Sequence, residues 1–349
     1  MIPPRVPASN VAGARVKSWV LILFLLAGAS ELLGDSTRRR WAVDPRELRF
    51  LGAFLKPGSE TYRMTFSPDG RHLAALGADG VVRLFVPRSW EKLREFAGHP
   101  AGVRGLAFSP DGKLLAAGRL NGEVVLWEAE TGAVHKTLQG SRGGVYNLAF
   151  SPDGRLLLAG EENNSATVWN VKEGAPVKTL DGAGFQVYSV AFSPDGQFAA
   201  GGLSSGGVLV WKVDGWERLH TFAAHNNMVR SLTFSRDGGT LVSGGTDALV
   251  KIWNVKLGAP ERTLEGHSGV VFGVHLSPDG RYLTTAGDTT VRVWDRAAGK
   301  EVLRHQHHRQ AIYNLAVHPS GRWMATGGQD AEIRFWGTDS PRVLGLESK

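Results

Sequence analysis

The sequence predicts an all-β fold, in which seven four-stranded antiparallel blades close into a β-propeller. Three observations predict it. A glycine recurs at positions 70, 112, 154, 196, 238, 280 and 321, a spacing of 42 residues five times and then 41. An aromatic column runs in phase with it, at Phe85, Trp127, Trp169, Trp211, Trp253, Trp294 and Trp336, and takes six of the eleven tryptophans. Between the columns, short apolar runs alternate with turn signals at roughly 8–12-residue intervals, the pattern of strands rather than helices. A fixed long period means a repeat architecture, and four short strands per unit close into a ring that leaves only short, protected edges. Composition agrees. Of 349 residues, 42% are apolar and 21% charged, which suits a buried core and argues against wholesale disorder. The 45 glycines suit many turns. No cysteine is present, which excludes disulfides, thiolate nucleophiles and cysteine-ligated metal.

Taken along the chain, the first element is apolar. Trp19 to Ala29 reads WVLILFLLAGA, with Arg5, Arg15 and Lys17 ahead of it and a small-x-small site at Ala27-Gly28-Ala29. This is a secretory signal pattern. A spanning helix wants about 20 apolar residues, and Glu31 arrives early, but the long basic segment leaves an uncleaved anchor over residues 19–33 open. A misassigned start is a third alternative. Residues 1–29 are thus expected to be a signal peptide or membrane anchor, and 30–45 a linker whose Arg38-Arg39-Arg40 run is solvated. Under the first two readings the body lies outside the cytoplasm: secreted, periplasmic or membrane-anchored. The formal charge is +7, three units of which precede Glu31. The remainder is too scattered to predict a nucleic-acid face.

Residues 46–346 carry the ring. Leu51–Phe54 aligns with Leu93–Phe96, the last strand of the first unit, yet precedes that unit. It is expected to complete the seventh blade, with Val343–Leu346 as the competing edge. Within a unit, Val103–Phe108 runs into Ser-Pro-Asp-Gly. Leu114–Ala117, an Asn121-Gly122 turn, Val124–Trp127, Thr131-Gly132 and Val134–Leu138 follow. The tetrapeptide begins at Ser67, Ser109, Ser151, Ser193 and Ser277, with Ser-Arg-Asp-Gly at Ser235 and His-Pro-Ser-Gly at His318. Proline presets φ, aspartate favours the turn and glycine closes it, so these are turn formers rather than a nucleophile and its partner.

These repeats resemble the WD40-repeat family. Its Gly-His dipeptide stands at Gly98-His99 and Gly266-His267, its His alone at His225 and His308, and its Trp-Asp at Trp294-Asp295. The resemblance implies a hydrogen-bonded tetrad of His, Ser/Thr, Asp and Trp in each blade. Three blades match: His225, Ser243, Asp247, Trp253; His267, Thr284, Asp288, Trp294; and His308, Thr326, Asp330, Trp336. The first four depart. Asp79 remains in the first, but Asn121, Asn163 and Ser205 replace Asp, while Ala75, Ala117, Ala159 and Gly201 replace Ser/Thr. The first half of the ring is therefore expected to be the softer half.

Candidate chemistry is sparse. Gly202-Leu203-Ser204-Ser205-Gly206 fits a nucleophile motif that needs a strand–turn–helix setting, but it falls in a strand–strand turn. His305, His307 and His308 cluster, yet His308 belongs to a tetrad and no carboxylate adjoins, so no metal site is expected. Asn163-Asn164-Ser165 is a glycosylation sequon that turn preference explains equally well. No catalytic set, metal or cofactor is predicted. The inner strand of each unit offers more. Five residues before each tetrapeptide, near the strand's start on the upper face, stand Tyr62, Arg104, Tyr146, Tyr188, Arg230, Phe272 and Tyr313. Two residues before it the column is small, with His275 the exception. Tyr and Arg are enriched at interface hot spots, and the resemblance implies that partners dock on this face. The expectation is a non-catalytic, monomeric scaffold that docks another protein through the Tyr/Arg/Phe ring. Two arginines favour an acidic or phosphorylated partner segment. The alternative is a small-ligand-binding or enzymatic propeller that uses His275 and the arginines at the channel mouth.

Overall fold

The computed structural model describes residues 48–55, 58–87, 89–96, 102–139 and 143–338. Within them lie 28 strands in seven four-stranded antiparallel sheets, and none of the described residues is helical. The expected signal or anchor (1–29), the linker (30–45), Gly98-His99 and Val343–Leu346 fall outside these residues.

Strand burial follows from position in the blade. The second strand of blade one, Leu73–Gly77 (LAALG), is buried along its whole length because neighbouring blades cover both its faces. Such strands read as continuous apolar runs rather than alternating ones. The outermost strand, Glu91–Phe96 (EKLREF), buries only its final phenylalanine. Apolar clusters fill the spaces between successive blades, and each takes in a member of the aromatic column. Trp169 and Trp336 have no exposed surface.

The tetrapeptide is a turn. Ser109 Oγ donates to Asp111 Oδ1 at 2.6 Å and accepts from Leu114 N at 2.9 Å, while Gly112 takes φ 72°. Ser235 and Asp237 of the Arg-containing copy pair likewise at 2.5 Å. In the worn copy, His318 Nδ1 meets Ser320 Oγ at 2.7 Å and so replaces the Ser–Asp pair. These hydrogen bonds hold the Asp153 carboxyl down at about 2, with its Ser151 bond foremost.

The N-terminal strand closes the ring, as expected. Arg49–Leu55 pairs antiparallel with Ile333–Gly337 and becomes the outer strand of blade seven. His305 Nε2 meets the Leu48 carbonyl at 2.9 Å, and His307 stacks on Phe50 with ring centres 4.3 Å apart. Both histidines also lie against Trp336. They pack the outer edge of blade six against the closing strand and Trp336 of blade seven.

The tetrads form in blades five to seven, with one correction. In blade five, Trp253 Nε1 donates to Ser243 Oγ at 3.1 Å. That hydroxyl meets His225 Nε2 at 2.8 Å, and His225 Nδ1 meets Asp247 at 2.8 Å. Burial lowers the His225 pKa, which fits a neutral ring that donates from Nδ1 and accepts at Nε2. Blade seven repeats this with His308, Thr326, Asp330 and Trp336. In blade six the hydroxyl belongs to Thr285, not Thr284. Thr285 Oγ1 lies 2.7 Å from His267 Nε2 and 2.9 Å from Trp294 Nε1. The missing residue of the 41-residue unit lies in the turn between Thr285 and Asp288, so counting back from the aspartate lands one residue short.

The earlier blades substitute other polar groups. Arg83 pairs with Asp79 at 2.6 Å and Glu95 at 3.2 Å. Arg119 pairs with Glu123, which also accepts from Gln139. In blade three Ser165 Oγ lies 2.9 Å from Glu161 and 2.6 Å from Asn163. Because Ala159 stands where a hydroxyl would be, the buried Trp169 Nε1 has no acceptor among the described residues. In blade four Gly201 lets the Trp211 ring lie so close that a Cβ would stand 2.7 Å from it.

Candidate functional site at the channel mouth

All seven inner strands carry the same irregularity. In the strand Val145–Phe150, Val145 opposes Glu161 and Asn147 opposes Gly160, so Tyr146 is an extra residue with no partner opposite. The same break falls at Tyr62, Arg104, Tyr188, Arg230, Phe272 and Tyr313. A β-bulge re-aims the side chain it carries. Here it turns seven side chains towards the axis at one level, and they line one cavity of about 540 Å³ at the channel mouth. The bulge is why a single sequence column becomes a ring.

The ring packs on itself. Arg104 lies over Tyr62 at 4.5 Å, Tyr146 stacks on Tyr188 at 4.5 Å, and Arg230 lies over Tyr188 at 4.5 Å and Phe272 at 5.3 Å. Phe272 meets Tyr313 edge-on at 5.1 Å, and Tyr313 meets Tyr62 at 5.9 Å. Arg104 and Tyr146 are close enough to interact electrostatically. Six of the seven neighbouring pairs thus touch around the circle, with cations on aromatic faces.

Three lining residues escape the column, namely Arg63, Leu120 and Glu162. Arg63 follows the bulge at Tyr62, where other blades have Gly, Asn or Ser. The departure of an arginine from that small column was the available signal. Leu120, 37% exposed, and Glu162 come from turns of blades two and three on the same face, where no periodicity marks them. The ring columns contain no acid, but Glu162 supplies one to the mouth. Burial, and after it the Glu162 carboxylate beside the hydroxyl, raises the Tyr146 pKa. Burial lowers the Arg63 pKa to about 10, with Tyr188 opposing and Arg230 adding to the shift. Arg63 thus stays charged at neutral pH and feels blades four and five across the channel. Burial pushes His275 down to about 4, so it is a neutral imidazole at neutral pH.

The other candidates are placed elsewhere. Ser204 and Ser205 lie in a turn between two strands of blade four, with no helix following. His305 and His307 pack against the closing strand of blade seven. Among the described residues no group of three or more His, Cys, Asp or Glu could hold a metal ion.

Comparison with known proteins supports the architecture independently. The family profile described as "WD domain, G-beta repeat" matches seven times, at residues 57–85, 90–128, 132–170, 174–212, 216–254, 258–295 and 299–337. No curated protein matches significantly. With seven consecutive profile matches over seven observed blades, the chain belongs to the WD40 family, whose propellers are generally non-catalytic scaffolds that bind other proteins.

Proposed function

We propose that the protein docks a partner protein on the upper face through the ring of Tyr62, Arg104, Tyr146, Tyr188, Arg230, Phe272 and Tyr313, and does no chemistry there. The observation that carries this reading is the set of seven bulges, which gathers every Tyr, Arg and Phe of the column at one open mouth. Amphipathic aromatics and arginines supply large contact area with polar tips, the composition of interface hot spots. With its partner the body works outside the cytoplasm, delivered there by a signal peptide over residues 1–29 or held there by an anchor over residues 19–33.

Photo-crosslinking tests the face. A photoreactive side chain at position 120, beside the mouth, should capture a partner. The same group at position 257, 77% exposed on the opposite face, should not. Capture from 257 alone would place docking elsewhere. One observation favours the second reading, a small-ligand binder. The mouth is a cavity of about 540 Å³ rather than a flat rim, within the usual size of ligand pockets. On that reading a small molecule, not a protein, protects the mouth from labelling.

A further inference from the structure

Several buried or half-buried arginines elsewhere in the described chain have carboxylate partners. Arg83, Arg119, Arg292 and Arg334 each contact carboxylates. The mouth is different. Arg63, Arg104 and Arg230 line one cavity, and none has an ion pair or hydrogen bond to another described residue. Arg230 Nε is buried between Tyr188 and Phe272 with no acceptor. Arg63 comes from blade one and Arg230 from blade five, yet both line the same cavity, and the Arg230 charge disfavours that of Arg63. A buried charge left without a counter-ion is unfavourable, which applies to Arg63 and to the Arg230 Nε. With the half-buried Arg104 on the same cavity, they mark a place where an anion belongs.

We infer that Arg63 and Arg230, with Arg104 at the rim, form a subsite for a dianionic phosphoryl group carried into the mouth. This deepens the docking reading and rests on the same face. Charge sets the class. Three guanidiniums against the Glu162 carboxylate leave an excess of two positive charges, which a phosphate monoester near −2 balances and a single carboxylate does not. Geometry agrees, since planar guanidinium forks bind phosphate oxygens in pairs. The tyrosine hydroxyls on the cavity wall supply further donors. Glu162 repels an anion that approaches from blade three, so the phosphoryl group sits away from blade three, between Arg63 and Arg230.

Calorimetric titration of the full chain with phenyl phosphate, inorganic phosphate and benzoate, at fixed ionic strength and pH 7.5, tests this. Phenyl phosphate should bind saturably, and benzoate at least about tenfold more weakly. Arg63→Met and Arg230→Met should each weaken phenyl phosphate about tenfold or more, whereas Arg94→Met, on an outer strand, should not. Inorganic phosphate binding as tightly as the ester would assign a free anion; tighter ester binding assigns a phosphorylated segment. Either result supports the subsite. It is overturned if benzoate binds as well as phenyl phosphate, if neither phosphate saturates, or if both arginine variants bind like the parent. The comparison of anions on the unaltered chain needs no variant to fold. Loss of phosphate selectivity with position-120 crosslinking retained would sink the subsite and spare the docking reading; the converse would spare the subsite.

Discussion

At the scale of single residues, polar groups that have or lack partners set the stability of the blades and the chemistry of the mouth. Trp169 is buried with its indole N–H unpaired because Ala159 replaces the hydroxyl that Ser243, Thr285 and Thr326 supply in other blades. Ala159→Ser should therefore stabilise the protein by about 1 kcal/mol, read as a higher Tm. An unchanged or lower Tm would show that the indole is satisfied some other way. Arg63 is the opposite case, a charge that burial disfavours. Arg63→Met keeps the aliphatic stem and removes the charge, so the free protein should melt at the same or a higher temperature. Substantial destabilisation would mean that Arg63 is structural. The histidines set a pH dependence. His225, His275 and His308 have pKa values lowered by burial, whereas in the unfolded chain each titrates near 6.5. Between those values the unfolded state binds more protons, so stability falls as pH drops below about 6.5. For His275 the loss continues to about 4. His275→Asn should flatten the dependence of Tm on pH between 6.5 and 4. A slope unchanged from the parent would count against the assignment.

At the scale of elements, the blade is the unit, and its tetrad decides how firmly it holds. The Thr285 hydroxyl bridges His267 and Trp294, whereas Thr284 makes no such bridge. Thr285→Val should cost about 2 kcal/mol by leaving two buried partners unmade; Thr284→Val should cost distinctly less. The reverse order would restore the register that simple counting suggests. That register shows what a repeat reveals and conceals. Sequence period located every blade, both columns and the closing strand, because each recurs or aligns at a fixed distance. It misplaced Thr284 because a one-residue deletion has no position until the turn between Thr285 and Asp288 is seen. The ring column was legible from spacing, but the bulges that turn it into a mouth were not, since nothing in the residue at the bulge distinguishes it from a neighbour in regular register. Leu120 and Glu162 were invisible for a related reason. They belong to turns, where position in space is set by the chain's return rather than by strand alternation.

At the scale of the whole molecule, the ring has a hydroxyl-bridged half and a half held by other means. Blades five to seven carry complete tetrads; blades one to four carry ion pairs, a Ser–Glu contact or a glycine–indole contact. Hydrogen exchange should therefore be faster in the middle strands of blades two to four than in those of five to seven. Uniform protection around the ring would show that packing between blades outweighs the tetrads. The central claim is that the mouth, and not the lower face or the rim, holds the partner. Its most direct test is to compare partner capture by the parent chain with capture by Tyr146→Ala, Tyr188→Ala, recording the melting curve of both. The stacked pair stands at the solvent-facing mouth, so capture should be abolished while Tm changes little. Normal capture by a folded double variant would contradict the account, and unfolding would show that the ring serves packing alone.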